Sequence, residues 1–309
     1  MSEIGTSRTT SAIGSRRPAW QRLLAGDTFA LISLLYLILL VAAAAIGPEL
    51  LTEQSQGMNL QLRNAPPFSL EHGFPYLLGA DALGRPIMPR LLVAARTTLL
   101  VSVSVVIASM VVGALLGLIA GYYGRLLDSA IMRVADVIMS FPSLLLAVIV
   151  LYVLEPRVTN VVIVLAITRI PVYVRVARAE VLEVRERLFV EAARAAGATN
   201  LRIMAQHIAP IVAPTIFTVA TLDFAGVMLA ESSLSFLGIG VQPPGVTWGL
   251  MVATGRNYLT TAWWLAFWPG LAILLTALAA NLLSNWLRIA MDPKLRWRLE
   301  TKQADRADD

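Results

Sequence analysis

Long apolar stretches alternate with polar, turn-forming sequence along the whole chain. Residues 28–48 and 97–124 contain no charged side chain, and 262–287 contains none either. Residues 137–154 are apolar with Pro142 near the start. Residues 158–176 are interrupted by Arg169 and Pro171, and 211–235 by Asp223 and Glu231. At ~1.5 Å of rise per residue, roughly 20 residues cross a bilayer, so these six runs predict six transmembrane helices. The expected fold is an all-α membrane protein. The first run is longer than the roughly 7–15 apolar residues of a signal peptide, which predicts an uncleaved first span despite Ala42–Ala45 at its end.

The polar segments divide the rest. Residues 1–27 are Ser/Thr-rich and basic and read as a disordered cytoplasmic arm. Residues 49–96 form a turn-rich extracytoplasmic loop with Pro66, Pro67, Gly79, Gly84, Pro86 and Pro89. Residues 97–289 form the core with the five later spans, and 290–309 a basic tail. Within that core, Arg125, Asp128, Arg133 and Asp136 mark a short polar connection, 155–160 a turn, and 236–261 a Gly/Pro-rich loop. Gly113, Gly117 and Gly121 recur every four residues and make a flat helix face. Such a face admits close helix packing, within one chain or between subunits.

Residues 180–214 are the longest charged, helix-prone segment between apolar runs. Glu180, Glu183, Arg185, Glu186, Arg187, Glu191 and Arg194 place opposite charges one turn apart. Ala192, Ala193, Ala195 and Ala196 favour helix. Gly197 interrupts it, and Thr199 or Asn200 can cap a new one. Leu201, Met204, Ala205 and Ile208 then follow an i, i+3, i+4, i+7 stripe before Pro210 and Pro214. This helix–turn–helix suits a membrane surface or a groove on a partner.

Composition agrees with the pattern: 57% of residues are hydrophobic and 15% charged. The absence of cysteine excludes disulfides, thiolate metal sites and cysteine nucleophiles. His72 and His207 are far apart and outside any metal-spaced cluster. The net charge of +5 needs no nucleic acid, because arginines beside spans are ordinary topology signals. Six spans put both termini on one side. The arm, the 125–133 connection, the 175–202 segment and the tail share that side, which the arginine excess makes cytoplasmic.

Glu191-Ala192-Ala193, then Gly197 and Pro210, resembles the EAA loop of binding-protein-dependent ABC importer permeases. His207-Ile208-Ala209-Pro210 is similar to the version found in the dipeptide/oligopeptide/nickel branch. Leu78–Arg85, Ala95–Leu99, Gly121–Gly124 with Asp128, Arg133, Asp136 and Phe141-Pro142, Ser235–Pro244 with Trp248-Gly249, and Leu287-Arg288 to Asp292-Pro293 follow that branch in order. Ala80 and Pro86 depart from its usual Thr and Asp. The set looks like the C-type permease subunit of such a system.

The resemblance implies a type I importer permease fold forming half a pore in the cell inner membrane. A second permease subunit, two ATPase subunits, an extracytoplasmic substrate-binding protein and a peptide substrate would complete the system. Coupling to the ATPases would fall to Glu191, Ala192, Ala193, Gly197, Leu201, Met204, His207, Ile208 and Pro210. The chain lacks a G-x-x-x-x-G-K-[ST] loop, so ATP and magnesium are expected on the partners and no cofactor in this chain. Measured from the ends of their runs, Arg169 and Asp223 lie about 16 and 18 Å deep, near the bilayer middle. They are expected to line the translocation path, to pair with each other or to pack against the second permease, and Glu231 to gate or to fix the outer end. Trp263, Trp264 and Trp268 read as interfacial anchors. Import of nickel or another small solute is the alternative within the family. A carrier working without ATP is the alternative outside it, and would have no use for the Glu191–Pro210 loop.

Overall fold

The computed structural model describes residues 27–155 and 157–291. The arm before Asp27 and the tail after Met291, with the motif at Asp292-Pro293, lie outside the described residues. Nine helices carry the description: α1 (Thr28–Gln56), α2 (Ile87–Tyr123), α3 (Arg125–Met139), α4 (Ser143–Val153), α5 (Val158–Val184), α6 (Leu188–Ala195), α7 (Asn200–Phe236), α8 (Trp248–Gly255) and α9 (Trp264–Met291). Five of them, α1, α2, α5, α7 and α9, are long and apolar enough to cross a membrane, and α3 with α4 adds a sixth candidate as a bent pair.

Helix ends follow local chemistry. Asp27 caps α1 by accepting from the backbone N–H groups of Phe29 and Ala30 at 3.2 and 3.3 Å. α1 runs beyond the expected end at Pro48 to Gln56. α2 begins at Ile87 with Pro89 in its first turn, well before 97, because proline suits a first helical turn, where no N–H partner is needed. Gly124, at φ +64°, ends it.

The third predicted span, 137–154, is broken. α3 occupies what read as a short polar connection, and α4 leaves it at 86° after a break at Ser140–Pro142. Pro142 is the N-cap of α4 and contributes no N–H to continue α3. α4 has 11 residues, about 16 Å of helix, half of an apolar bilayer core. Similarly, the 236–261 loop contains α8, capped by Thr247, whose hydroxyl accepts from the Leu250 N–H at 3.2 Å.

α2 and α5 run parallel and pack most closely at the glycine face. A Cβ on Gly113, Gly117 or Gly121 would meet the Cβ of Tyr173, Ala177 or Val181 at 2.5, 2.6 or 2.8 Å. The flat face therefore packs within this chain. Gly113 also lies against the carbonyl of Ile170, beside Pro171, which sits inside α5. One buried cluster joins α2, α4, α5, α6 and α7; a second joins α1, α2, α7, α8 and α9. Ala30 packs with Trp286 and Ala290, so the described chain ends meet at one end of the bundle.

Candidate functional site

The charged segment 180–214 folds differently from a single helix and turn. α5 continues through it to Val184, and a break at Arg185–Arg187 leads into α6. Glu183 and Arg187 pair one turn apart at 2.7 Å, as the spacing predicts. α6 ends in a Schellman turn: the Ala198 N–H donates to the Ala193 carbonyl at 3.1 Å and the Gly197 N–H to the Arg194 carbonyl at 3.0 Å. Gly197 takes φ +82°, the left-handed conformation that favours glycine. Ala193 and Ala198 are both partly buried against the core, the apolar contact that accompanies such a turn. The third residue of Glu191-Ala192-Ala193 thus has a packing role, while Glu191 and Ala192 are exposed.

Thr199 caps the next helix by accepting from the Arg202 N–H at 3.3 Å. That helix runs without interruption into the following span, and residues Ile203–Ile208 adopt π-helical turns. The extra residue per turn shifts the buried face. Ile203, Met204 and Ile208 are buried, whereas Leu201 is 72% exposed and Ala205 is exposed. The predicted stripe Leu201–Met204–Ala205–Ile208 is therefore corrected to Ile203–Met204–Ile208. His207 is half-buried, and Pro210 lies exposed inside α7 without breaking it.

This elbow is braced from several sides. Arg178 of α5 forms a two-pronged pair with Asp128 of α3, its Nη2 at 2.7 Å from Oδ2. Arg175 reaches Asp136 of the same helix at 2.6 Å. Arg185 donates to the Gly121 carbonyl at 2.8 Å, holding the last turn of α2. The Tyr122 hydroxyl donates to Asn200 at 2.8 Å, joining that turn to the start of α7. Val190 is fully buried and ties α6 to the core. Sequence reading singled out neither Val190 nor Tyr122 nor the α5 arginines as elbow residues. No local spacing marks these contacts, because each joins helices distant in sequence.

Inside the bundle, Arg169 and Asp223 face each other across α5 and α7 at 3.4 Å, with 26% and 12% of their side chains exposed. The buried Tyr173 hydroxyl donates to Asp223 at 3.2 Å, and Gly226 lies beside the pair. Glu231 is fully buried. The Ser235 hydroxyl donates to its carboxylate at 2.7 Å and Ser232 at 3.4 Å, and Thr247 donates on to Ser235 at 3.4 Å. This hydroxyl chain fastens the end of α7 to the start of α8.

The opposite end of the bundle from the elbow is built on backbone contact. Asp81 accepts from the N–H groups of Leu83 and Arg85, both at 2.9 Å, and closes the turn after Gly79. Trp264 is buried and donates to the Ala80 carbonyl at 3.2 Å, and Trp248 donates to the Leu91 carbonyl at 2.9 Å. Trp264 is thus an internal strut, while Trp263 is 47% exposed. His72 stacks edge-on with Tyr76, ring centres 6.4 Å apart.

A bundle of membrane-length helices, with ionisable groups paired inside and a braced elbow at one end, is the construction of a polytopic transport protein rather than of a surface-anchored one. Residues 113–297 match the family described as the binding-protein-dependent transport system inner membrane component, and the chain belongs to that family. It is 41% identical to a di/tripeptide transport system permease protein of Pseudomonas aeruginosa over 90% of this chain and 91% of the relative. A dipeptide transport system permease protein of Alkalihalophilus pseudofirmus is 36% identical over 93% and 92%. A glutathione transport system permease protein of Pectobacterium atrosepticum is 36% identical over 91% of each. The resemblance read from the motifs is thereby borne out at the level of the family and of its permeases.

Proposed function

We propose that this chain is one of two permease subunits of an ATP-driven importer for short peptides, and that the elbow from α6 to the start of α7 is its contact with the ATPases. One observation carries the reading. Leu188 and Leu201 are 82% and 72% exposed and flank Glu191 on a unit whose backbone is braced to α2, α3 and α5. Exposed apolar side chains on a short helix held in place by side-chain pairs fit a groove on a partner. In this reading Glu191 pairs with a cation on the ATPase, ATP and magnesium sit on that partner, and the elbow end with both termini is cytoplasmic. Relatives named for dipeptide, tripeptide and glutathione transport support a peptide cargo delivered by a binding protein.

Arg169 and Asp223 are then the groups that meet cargo charge on the path, exchanging their mutual pair for a peptide terminus. Glu231 is enclosed in this conformation, and reaches the path only if the outer end of α7 opens. The test is substrate-dependent ATP hydrolysis in the complex copurified with this chain. Glu191→Ala and Gly197→Asp should keep the subunits together and abolish the dependence on loaded binding protein. Transport that proceeds without any ATPase would sink the proposal.

A further inference from the structure

A cavity of about 310 Å³ opens at the end of the bundle opposite the elbow, between the 81–90 turn and α8. Its charges are unbalanced. Asp81 is saturated: besides the two backbone N–H groups, its Oδ2 accepts from Arg85 Nε and pairs with Arg85 Nη2, both at 2.7 Å. Arg90 also lines the cavity, with only 16% of its side chain exposed, yet its nearest acid is that same Asp81 oxygen at 3.8 Å. Arg90 makes no hydrogen bond among the described residues. One guanidinium therefore faces the cavity with its donors unspent. Asn257 and Tyr258 line the cavity too, and neither side chain has a hydrogen bond there among the described residues. Ile87, Met251 and Leu265 supply an apolar floor.

An unspent guanidinium lining a small, partly apolar cavity is chemistry for one carboxylate carrying an organic group. The volume is at the low end of ligand pockets, about one or two residues of peptide. We propose that this cavity is a carboxylate subsite, and that it takes the C-terminal residue of a short peptide: the carboxylate on Arg90 with Asn257 and Tyr258, the side chain on Met251 and Leu265. It is separate from the Arg169–Asp223 pair. The peptide identity rests on the cargo reading above; the carboxylate chemistry does not.

The test is phenylglyoxal modification of Arg90, followed by peptide mass spectrometry on the complex as purified, with Arg256 as the internal control. Propionate and alanyl-alanine should each slow modification of Arg90 several-fold, propionamide and alanyl-alanine amide should not, and Arg256 should be unaffected. A parallel binding measurement with alanyl-alanine should show Arg90→Gln weakening affinity by more than about tenfold, the loss expected for a charge-assisted contact. Asn257→Ala should weaken it less, which keeps the idea testable if Arg90→Gln misfolds. Failure of both carboxylates to protect Arg90 overturns the subsite. Protection by propionate or by peptide-free binding protein, but not by alanyl-alanine, overturns the peptide assignment. Uptake of alanyl-alanine is scored separately: uptake without protection sinks this subsite and leaves the cargo reading standing, and protection by propionate without uptake does the reverse.

Discussion

At its first turns α2 is enclosed by backbone and indole; at its last turn it is held by side-chain charge. Near Ile87, Gly84 lies so close to Asn59 that a Cβ would sit 1.7 Å from its carbonyl oxygen, and Gly79 lies under Trp264 in the same way. Gly240 and Gly249 repeat the arrangement against Ser235 and Ser232. Near Tyr123 the contacts are Arg185 on a carbonyl, Arg178 on Asp128 and Tyr122 on Asn200. Backbone contact has one geometry. Long side chains can keep their partners while the elements shift, and solvent-reached ion pairs cost little to remake. The end assigned to substrate is thus the fixed one, and the end assigned to the ATPases is adjustable.

The sharpest way to break this contrast is to put the same methyl group at both ends. Gly84→Ala meets both a carbonyl and a φ of +71°, and should cost about 3 kcal/mol or more, seen as collapse in folded yield and in thermal midpoint. Gly197→Ala has a similar φ but nothing within 4 Å; it should cost about 1–2 kcal/mol, with yield preserved and ATP hydrolysis less dependent on substrate. Equal losses at the two positions would remove the contrast. Asp128→Asn should cost only about 1 kcal/mol because the pair is partly solvated, and its effect should shrink in high salt; a salt-independent loss would show a rigid brace instead. The smallest change is expected for exposed Glu191→Gln, within about 0.5 kcal/mol in thermal unfolding, while coupling of hydrolysis to loaded binding protein falls.

Apolar runs made the class legible, because a bilayer demands length and the absence of charge and little else. Glycine spacing correctly marked the closest helix contact, and Gly197 the turn. Boundaries were less legible. Pro48 and Pro210 read as ends but sit inside helices: one missing hydrogen bond does not end either, and Pro210 is exposed directly after the π-helical turns 203–208. The charges of 125–136 concealed α3, whose Asp128 and Asp136 face Arg178 and Arg175 on α5, fifty and thirty-nine residues away in sequence. The stripe at 201–208 was misphased because a π-helical turn breaks the 3.6-residue period on which it was read. Arg169 and Asp223 were found by depth alone, but Tyr173, their third member, carries no charge to betray it.

Pro171 should be the weak point of α5, a helix of 27 residues and so about 40 Å long. Yet it lies where Gly113 presses α2 against the Ile170 carbonyl. The neighbour acts as a splint over the fracture. Bending α5 at its proline would break the close contact with Gly113, so α2 and α5 are joined like two rods, and a force on the elbow is carried to the opposite end of the bundle as leverage rather than as bending.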